Sequence, residues 1–589
     1  MGVVPSVIPK PASPDVVTAT VLVDGKALPG TVGILSIVVS REINRIPSAS
    51  LTIRDGEPAL QTFKVSNEDF FLPGNKVEIK LGYSSDEKSV FKGIVVRHSI
   101  KIRSNSSCLI VECRDEAAKM TAGNKSRYYI DKKDSDIIEE IVGLYGLKKD
   151  VKATKPSLKE VVQYDATDWD FIVCRAEANG QIVMVEDGKI IVDKPDTGQA
   201  PVLGIGYGAT IMELDAEIDA RIQSPGIKAM SWSAADQEVT EAEASDASGR
   251  GSGNLSSSDL ADVLGGDTRD LRHSGHLTEP ELQAWADGLM QRERLAKIRG
   301  RAKFEGFADV MPGNMLEIQG IGERFEGKLF VAGVRHQYGG GGWETDVQFG
   351  MNPEPFTKTF DLRPLPAAGL LPAVSGLQMG IVTTLEGDPD GEDRIKVRLP
   401  LVSPNEEGTW ARIATLDAGD GRGTYFRPEI DDEVVVGFLN DDPRYPVVLG
   451  MCHSSAKPAP EPAKDDNHHK GYVSREKMKF TFDDEKKIVA LETPGGNKLT
   501  LSEEDKGIII EDQNGNKITL DDKGITIESA KDLILKATKD IKAEGMNIEL
   551  KAQTGFKAEG SGTAEMSGAN TTVKGSAATT IKGGVVQIN

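Results

Sequence analysis

The C-terminal part of the chain repeats itself at a period too short for a single-chain core. Gly496-Asn497-Lys498-Leu499-Thr500-Leu501 returns as Gly515-Asn516-Lys517-Ile518-Thr519-Leu520, and Asp505-Lys506-Gly507-Ile508-Ile509-Ile510 returns as Asp522-Lys523-Gly524-Ile525-Thr526-Ile527. Self-similarity of this kind means stacked supersecondary units, each touching its neighbours. Further on, the register tightens into pairs spaced i, i+2: Ile525/Ile527, Leu533/Leu535, Ile541/Ala543, Ile548/Leu550, Phe556/Ala558, Ala564/Met566, Thr571/Val573, Thr579/Ile581 and Val586/Ile588. Each pair is one face of a short strand, since alternate side chains point to opposite sides. The residues between are polar turn formers.

One chain gains little from this pattern. Two small inward side chains per strand cannot offset an ordering cost of roughly 1–2 kcal/mol per residue, and every strand would leave its hydrogen-bonding edges open. Three chains wound together pair every edge and pool their apolar pairs on one axis. The sequence therefore predicts an obligate homotrimer over 471–589, a triple-stranded intertwined β-helix. Its core is Ile525, Ile527, Leu533, Leu535, Ile541, Ile548, Leu550, Phe556, Met566, Val573 and Ile581. The inward residues shrink along the repeat as Gly, Ala, Ser and Thr accumulate, which describes a slender needle. The sequence closes on Val585-Val586-Gln587-Ile588-Asn589 without the polar capping unit that solenoid ends carry. These five residues are expected to dock a separate tip protein.

Upstream the chain reads as mainly β. Residues 1–370 carry β-branched runs separated by turn signals, with helices inserted. One helix is predicted after Asp134-Ser135, with Ile137, Ile138, Ile141, Val142 and Tyr145 at helical spacing and a stop near Gly146. A second begins at Thr167 with Asp170 three residues on, and a third follows the Thr278-Glu279-Pro280-Glu281 capping box. Between them, 236–275 is poor in apolar residues and rich in Ser, Gly and Asp, so it is expected to be a flexible insertion. Five short strands within 376–455 predict a small closed barrel of the oligonucleotide/oligosaccharide-binding (OB) type. A Pro, Ala and Lys-rich linker, 456–470, joins it to the repeat.

Composition excludes several function classes. The net charge is −21, from 70 basic and 91 acidic residues, and no basic cluster with interleaved aromatics is present, so no nucleic-acid partner is expected. Four cysteines, Cys108, Cys113, Cys174 and Cys452, form no C-x-x-C pair and no disulfide framework. They point to assembly in a reducing cytoplasm. No stretch reaches the length of a membrane span, and the proline-rich start is no signal peptide.

The seven histidines show no H-E-x-x-H spacing. His468-His469 reads as linker, Asp388-Pro389-Asp390-Gly391-Glu392-Asp393 lacks the remaining positions of a calcium loop, and Gly249-Arg250-Gly251-Ser252-Gly253 is neither a nucleophile elbow nor a phosphate loop. No catalytic residue, cofactor site or metal site is assigned, and the chain is expected not to be an enzyme. A glycan-binding or glycan-cleaving β-helical tailspike is the alternative from another class. It would need paired carboxylates and aromatic platforms, yet no Trp or Tyr follows Tyr472.

Taken in order, the motifs resemble the VgrG family of contractile-injection spikes, and fused phage hub and spike proteins, over essentially the whole length. Gln163-Tyr164, Asp168, Phe171-Ile172, Arg175, Glu177 and Gly180 resemble the family's hub signature. Asp388-Pro389-Asp390-Gly391 before Arg394-Ile395-Lys396-Val397 resembles the first hairpin of its barrel, and 432–436 with 441–447 its end. Val573-Lys574-Gly575 and Ile581-Lys582-Gly583 resemble its needle octapeptide.

The resemblance implies phage-hub-like β-barrel domains over 1–370 that trimerise as a ring. It also implies partners: a PAAR-like tip protein, inner-tube or tube-initiator proteins, baseplate proteins, a separate effector cargo, and a target membrane met in passing. Sheath contraction would drive the spike through a target envelope. The particle, assembled in the bacterial cytoplasm, would act from a secretion apparatus or after release, and a phage baseplate hub-spike shares the same physics.

Overall fold

A computed structural model describes residues 16–245 and 252–588. Two compact units divide the chain. The first holds everything up to Leu377 with Thr409–Arg412 and Gly437–Val447; the second holds Gln378–Gly408, Ile413–Val436 and everything from Val448 on.

The first unit is organised by a thirteen-stranded sheet. Its main path runs from the edge strand Ile211–Ile218 through Ile298–Glu305, Gly342–Phe349 and Gly327–Gly339 to Ile34–Glu42. It then continues through Ser48–Arg54, Ser106–Arg114, Asp86–Arg103, Lys76–Tyr83 and Val17–Val23. Segments near residues 40 and 330 are thus hydrogen-bonded neighbours, and the antiparallel pairing of Gly327–Gly339 on Ile34–Glu42 joins the two halves. Alternation sets the core: Leu51 and Ile53 are fully buried while Ser50 and Thr52 face away. Cys113 is buried in this core and Cys108 half-buried, one on each face of its strand.

Two helices pack beside the sheet, Asp134–Leu144 and Asp168–Ala178. Ile137, Ile138, Ile141 and Val142 of the first meet Trp169, Ile172, Val173 and Ala176 of the second. Thr167 caps the second helix by accepting from the Asp170 amide at 3.1 Å. Asp134 is not a cap. It is the first helical residue, and its carboxylate serves a buried ion pair described below. The third helix, Glu279–Leu295, starts as its capping box predicts: the Glu281 carboxylate accepts from Thr278 N at 2.8 Å and Thr278 Oγ1 at 2.7 Å.

The structure differs from the sequence reading over 236–275. Glu238–Glu243 pairs antiparallel and Arg269–His273 parallel with Ile227–Ser233, and Ser257–Asp262 is a helix closed by a Ser256/Asp259 capping box. The segment lacks apolar residues for a core of its own, so it borrows one. Ala242 and Leu271 pack on Leu282, Ala286 and Met290 of the third helix. Gly249, Arg250 and Gly251 lie outside the described residues.

Gln378–Thr384, Ile395–Arg398, Thr409–Ile413, Pro446–Met451 and Glu433–Phe438 close the five-stranded barrel. Val382, Ile395, Val397, Ala411, Val434, Val436 and Val448 fill it. The acidic run after the first strand is a turn: the Asp388 carboxylate accepts from the amides of Asp390, Glu392 and Arg394 and from the Arg394 guanidinium. The Arg394 guanidinium, helped by those amides, holds the Asp388 pKa well below the usual carboxylate range.

One buried base in the first unit titrates against the fold. His336 is 2% exposed, its Nδ1 is 3.0 Å from Thr345 Oγ1, and its ring lies 5.9 Å from Trp343. Burial, with the nearby Arg41 charge, pushes its pKa down to about 3. The folded state therefore binds this proton less readily than the unfolded chain. The stability it contributes is complete above pH ~6.5 and is lost as pH falls from there toward 3. Denaturation of the protein between pH 7 and 4 should show a slope of up to about 1.4 kcal/mol per pH unit from this group, and His336→Gln should remove that part of the slope.

Candidate functional site

The barrel leads into a seven-stranded antiparallel meander: His469–Val473, Lys479–Asp483, Ile488–Glu492, Lys498–Ser502, Gly507–Glu511, Lys517–Asp521 and Gly524–Glu528. Its register stacks alternate residues into two columns on one face. Tyr472 lies opposite Phe480, and the column continues through Leu491, Leu499, Ile510 and Ile518 to Ile527. The second column is Phe482, Val489, Leu501, Ile508, Leu520 and Ile525. The opposite face carries Thr481, Ala490, Thr500, Ile509, Thr519 and Thr526 between charged residues. From Tyr472 on this face is thus apolar, and in the single chain much of it stays open: Ile510 is 44%, Leu491 47% and Ile527 52% exposed. Full burial of a Leu or Ile stabilises by about 1.5–3 kcal/mol, and a continuous apolar stripe of this length marks an interface.

The repeat sequence also builds the turns. Asp512 accepts from the amides of Asn514 and Asn516 and from Asn516 Nδ2, at 2.8, 2.9 and 2.7 Å. Asn516 holds the Asp512 carboxyl down at about 2, its hydrogen bonds being the largest cause. The repeated asparagines then reach the next turn: Asn497 Oδ1 accepts from Gln513 N, and Asn516 Oδ1 from Ala530 N at 3.0 Å. An asparagine ladder thus ties successive hairpins along one edge. That is the physical content of the Gly-Asn-Lys repeat.

Of the predicted needle core, Ile525 and Ile527 join the columns. Leu533, Leu535, Ile541, Ile548, Leu550, Phe556, Met566, Val573 and Ile581 all remain more than half exposed in the single chain. Among the described residues after Glu528 there is neither strand nor helix. Val585, Val586 and Ile588 are exposed, and Asn589 lies outside the described residues. The columns before Ile525 were missed by the sequence reading, although the same i, i+2 pairs, Leu499/Leu501 and Ile508/Ile510, stood in the quoted repeat. His469 sits between Glu461 and Asp483, at 3.0 and 3.5 Å.

In the first unit the signature residues make a polar clamp. Gln163 Nε2 donates to Asp168 Oδ1 at 2.8 Å and to the Ala166 carbonyl, and Tyr129 OH donates to Gln163 Oε1. Tyr145 OH donates to Asp168 Oδ2 at 2.7 Å, and Arg127 stands 3.7 Å from the same oxygen. Burial, and the carboxylate it donates to, push the Tyr145 phenol up to about 12. Arg175 grips Asp134 with two bonds, 2.6 and 2.8 Å, and Asn179 Nδ2 adds a third. Glu177 accepts from Asn44 Nδ2 and from Phe356 N, each at 2.8 Å, and pairs with Arg292.

Gly180 has φ +67, and a Cβ there would stand 2.8 Å from the Cα of Gly288, so the end of the helix Asp168–Ala178 meets the helix Glu279–Leu295 at these glycines. Phe171 and Ile172 are buried. Only Tyr164, 73% exposed, has no part in the clamp. The signature fixes strand, helix and sheet together.

Three family models match the chain in order. The Alg8 N-terminal domain matches residues 13–339, more than half of the chain. The type VI secretion system/phage-baseplate injector OB domain matches 378–453, and the phage baseplate V C-terminal trimerisation domain matches 487–589. The type VI secretion system spike protein VgrG1b of Pseudomonas aeruginosa is 26% identical over 30% of this chain and 24% of its own length. The spike protein VgrG3 of Vibrio cholerae is 33% identical over 15% of this chain and 9% of its own. The chain thus spans at most about a quarter of the length of these relatives. Among solved structures, a tail protein from Neisseria meningitidis shares 16% identity over 57% of this chain and 96% of its own, with a TM-score of 0.43.

The clamp sets a stability expectation. Asp134→Ala strands the Arg175 guanidinium and the Asn179 amide, and should destabilise the first unit by about 3 kcal/mol, read as a lowered denaturant midpoint, with the mass of the assembled protein unchanged.

Proposed function

This chain belongs to the family of the Alg8 N-terminal domain and is a VgrG-family spike built around a C-terminal trimerisation domain, and from that premise we propose that it is the non-enzymatic, puncturing spike of a contractile injection system. The apolar face of the meander carries the reading. A sheet that leaves Phe480, Leu491, Ile510 and their neighbours open in one chain is completed when three copies turn those faces toward a common axis. The product is a narrow prism with charged residues outside, continued by the tighter β-helix over 529–588.

Such an object suits thrust rather than chemistry. The work comes from a contracting sheath, and the spike has only to stay folded and narrow. The first unit serves as a trimeric hub on the inner tube and baseplate, and the barrel as a collar. The exposed apolar residues Val585, Val586 and Ile588, with Gln587 and Asn589, receive a PAAR-like tip protein. Effector cargo travels as a separate protein.

No helix among the described residues is long and apolar enough to cross a membrane, so passage through a target envelope would be mechanical. The four free thiols accord with assembly in a reducing cytoplasm before the particle is deployed.

Light scattering on the full chain tests the reading. A mass near three times 63.3 kDa is expected, and Ile510→Asp, which puts three carboxylates on the axis, should return it to a monomer or to aggregates. A folded monomer of the unsubstituted chain would overturn the spike. For the needle end, Ile588→Asp should abolish capture of a co-expressed PAAR-like tip while the trimer mass holds; undiminished capture would move the tip elsewhere.

A further inference from the structure

The apolar column does not stop where the needle begins. Tyr472, at its head, has its ring centroid 4.8 Å from that of Phe426 in the barrel. Phe426 lies on the long connection between the strands Thr409–Ile413 and Glu433–Phe438, which folds back on itself through the small hairpin Ala418–Gly419/Arg422–Gly423. This connection has an unusual surface for a loop. Leu416 is 95%, Tyr425 83%, Phe426 58% and Ile430 55% exposed. Polar bonds hold the loop's shape, with Arg422 on Asp417 at 2.8 Å and Thr415 Oγ1 on the Thr424 carbonyl at 2.8 Å. Ion pairs fasten its end to both ends of the linker: Arg475 Nη1 is 2.8 Å from Glu429, and Lys457 Nζ 3.2 Å from the adjoining Asp432.

We propose that the connection 415–430 is a trimer collar whose occupant is a second copy of this chain: Phe426 adds one rung to the apolar column above Tyr472, and Leu416 and Tyr425 pack against the neighbouring copy. The inference rests on reading the needle as a trimer, and continuity carries it. In the trimer the column from Ile527 up to Tyr472 faces the other two copies, and Phe426 packs tilted against its top member, so the residues flanking Phe426 are delivered to the same neighbours. A tilted aromatic pair at the rim of a trimer core is worth more than its buried area. Covering Leu416 and Tyr425 there removes two strongly exposed apolar side chains beside the barrel from water.

The collar has a mechanical consequence. Thrust on the barrel would reach the needle through packed side chains of adjacent copies, in parallel with the linker 456–468.

The test uses the full chain with p-benzoylphenylalanine in place of Tyr425, weighed by light scattering and then irradiated and run boiled under denaturing conditions. Covalent dimers and trimers are expected. A trimer in solution that yields only monomer bands, with the probe at Tyr425 and again at Leu416, would overturn the collar and leave the spike standing. A monomer before irradiation would remove the trimer itself, and the collar with it. Adding Phe426→Ala should lower the cross-linked yield about threefold or more without changing the solution mass; an unchanged yield would exclude Phe426 as the anchor.

Discussion

A sheet with one largely apolar face has to cover it, and in the proposed trimer the cover is the same sheet from other copies. The first unit closes its cores internally, around Leu51 and Phe304 and between its paired helices. The barrel does likewise around Val382, Val397 and Val436. The meander does not: Phe480, Leu491, Leu501, Ile510 and Ile527 of its columns stay exposed. Assembly and folding are therefore one event for the needle. Its hydrogen-bond ladders exist in the single chain, but the apolar burial that stabilises them against about 1–2 kcal/mol of lost backbone freedom per residue comes only from the partners.

Hub and needle use polar groups in opposite ways. In the first unit Asp134 and Asp168 are buried: Asp134 is held by Arg175 and Asn179 at the end of the second helix, and Asp168 by Gln163 from a strand and Tyr145 from the end of the first helix. Such groups add little net stability over apolar packing, but they tolerate only one arrangement, because any other leaves a buried charge unpaired. That specificity suits a body that has to present the same surfaces to its neighbours. In the meander the polar groups serve turns and edges instead. Asp512 and the two asparagines close hairpins at the surface, where a small bond repeated at each level fixes the stacking register.

Much of this was legible in the sequence because it lives in local patterns. The capping boxes at Thr167 and Thr278, the five barrel strands, and the two-residue alternation of the needle are all periodicities of the chain itself. What was not legible depends on distant partners. Asp134 looks like a helix cap until Arg175 and Asn179 are placed beside it, since both compete for the same carboxylate. The 236–275 segment looks unfoldable because its apolar complement, Leu282, Ala286 and Met290, lies beyond it in sequence. The core columns from Phe480 to Leu520 were readable as i, i+2 pairs, yet the longer hairpin period hid their continuity with Ile525 and Ile527.

Strand direction explains why this architecture can bear load. Ladder bonds run perpendicular to the strands, so in a meander whose short strands stack one above another they run along the stack, about 4.8 Å per level. A force along the needle then compresses hydrogen bonds in three sheets at once and presses the apolar columns together at every level. Each strand offers only five residues, too few to stand alone, but compression cannot peel one strand from the next without separating all three copies at that level. The same geometry makes the joints the weak points, because a linker carries load along one chain and a packed interface carries it across three. A spike built this way gains most from side-chain packing wherever its ladder is interrupted, and the first interruption is the step from barrel to needle at Tyr472.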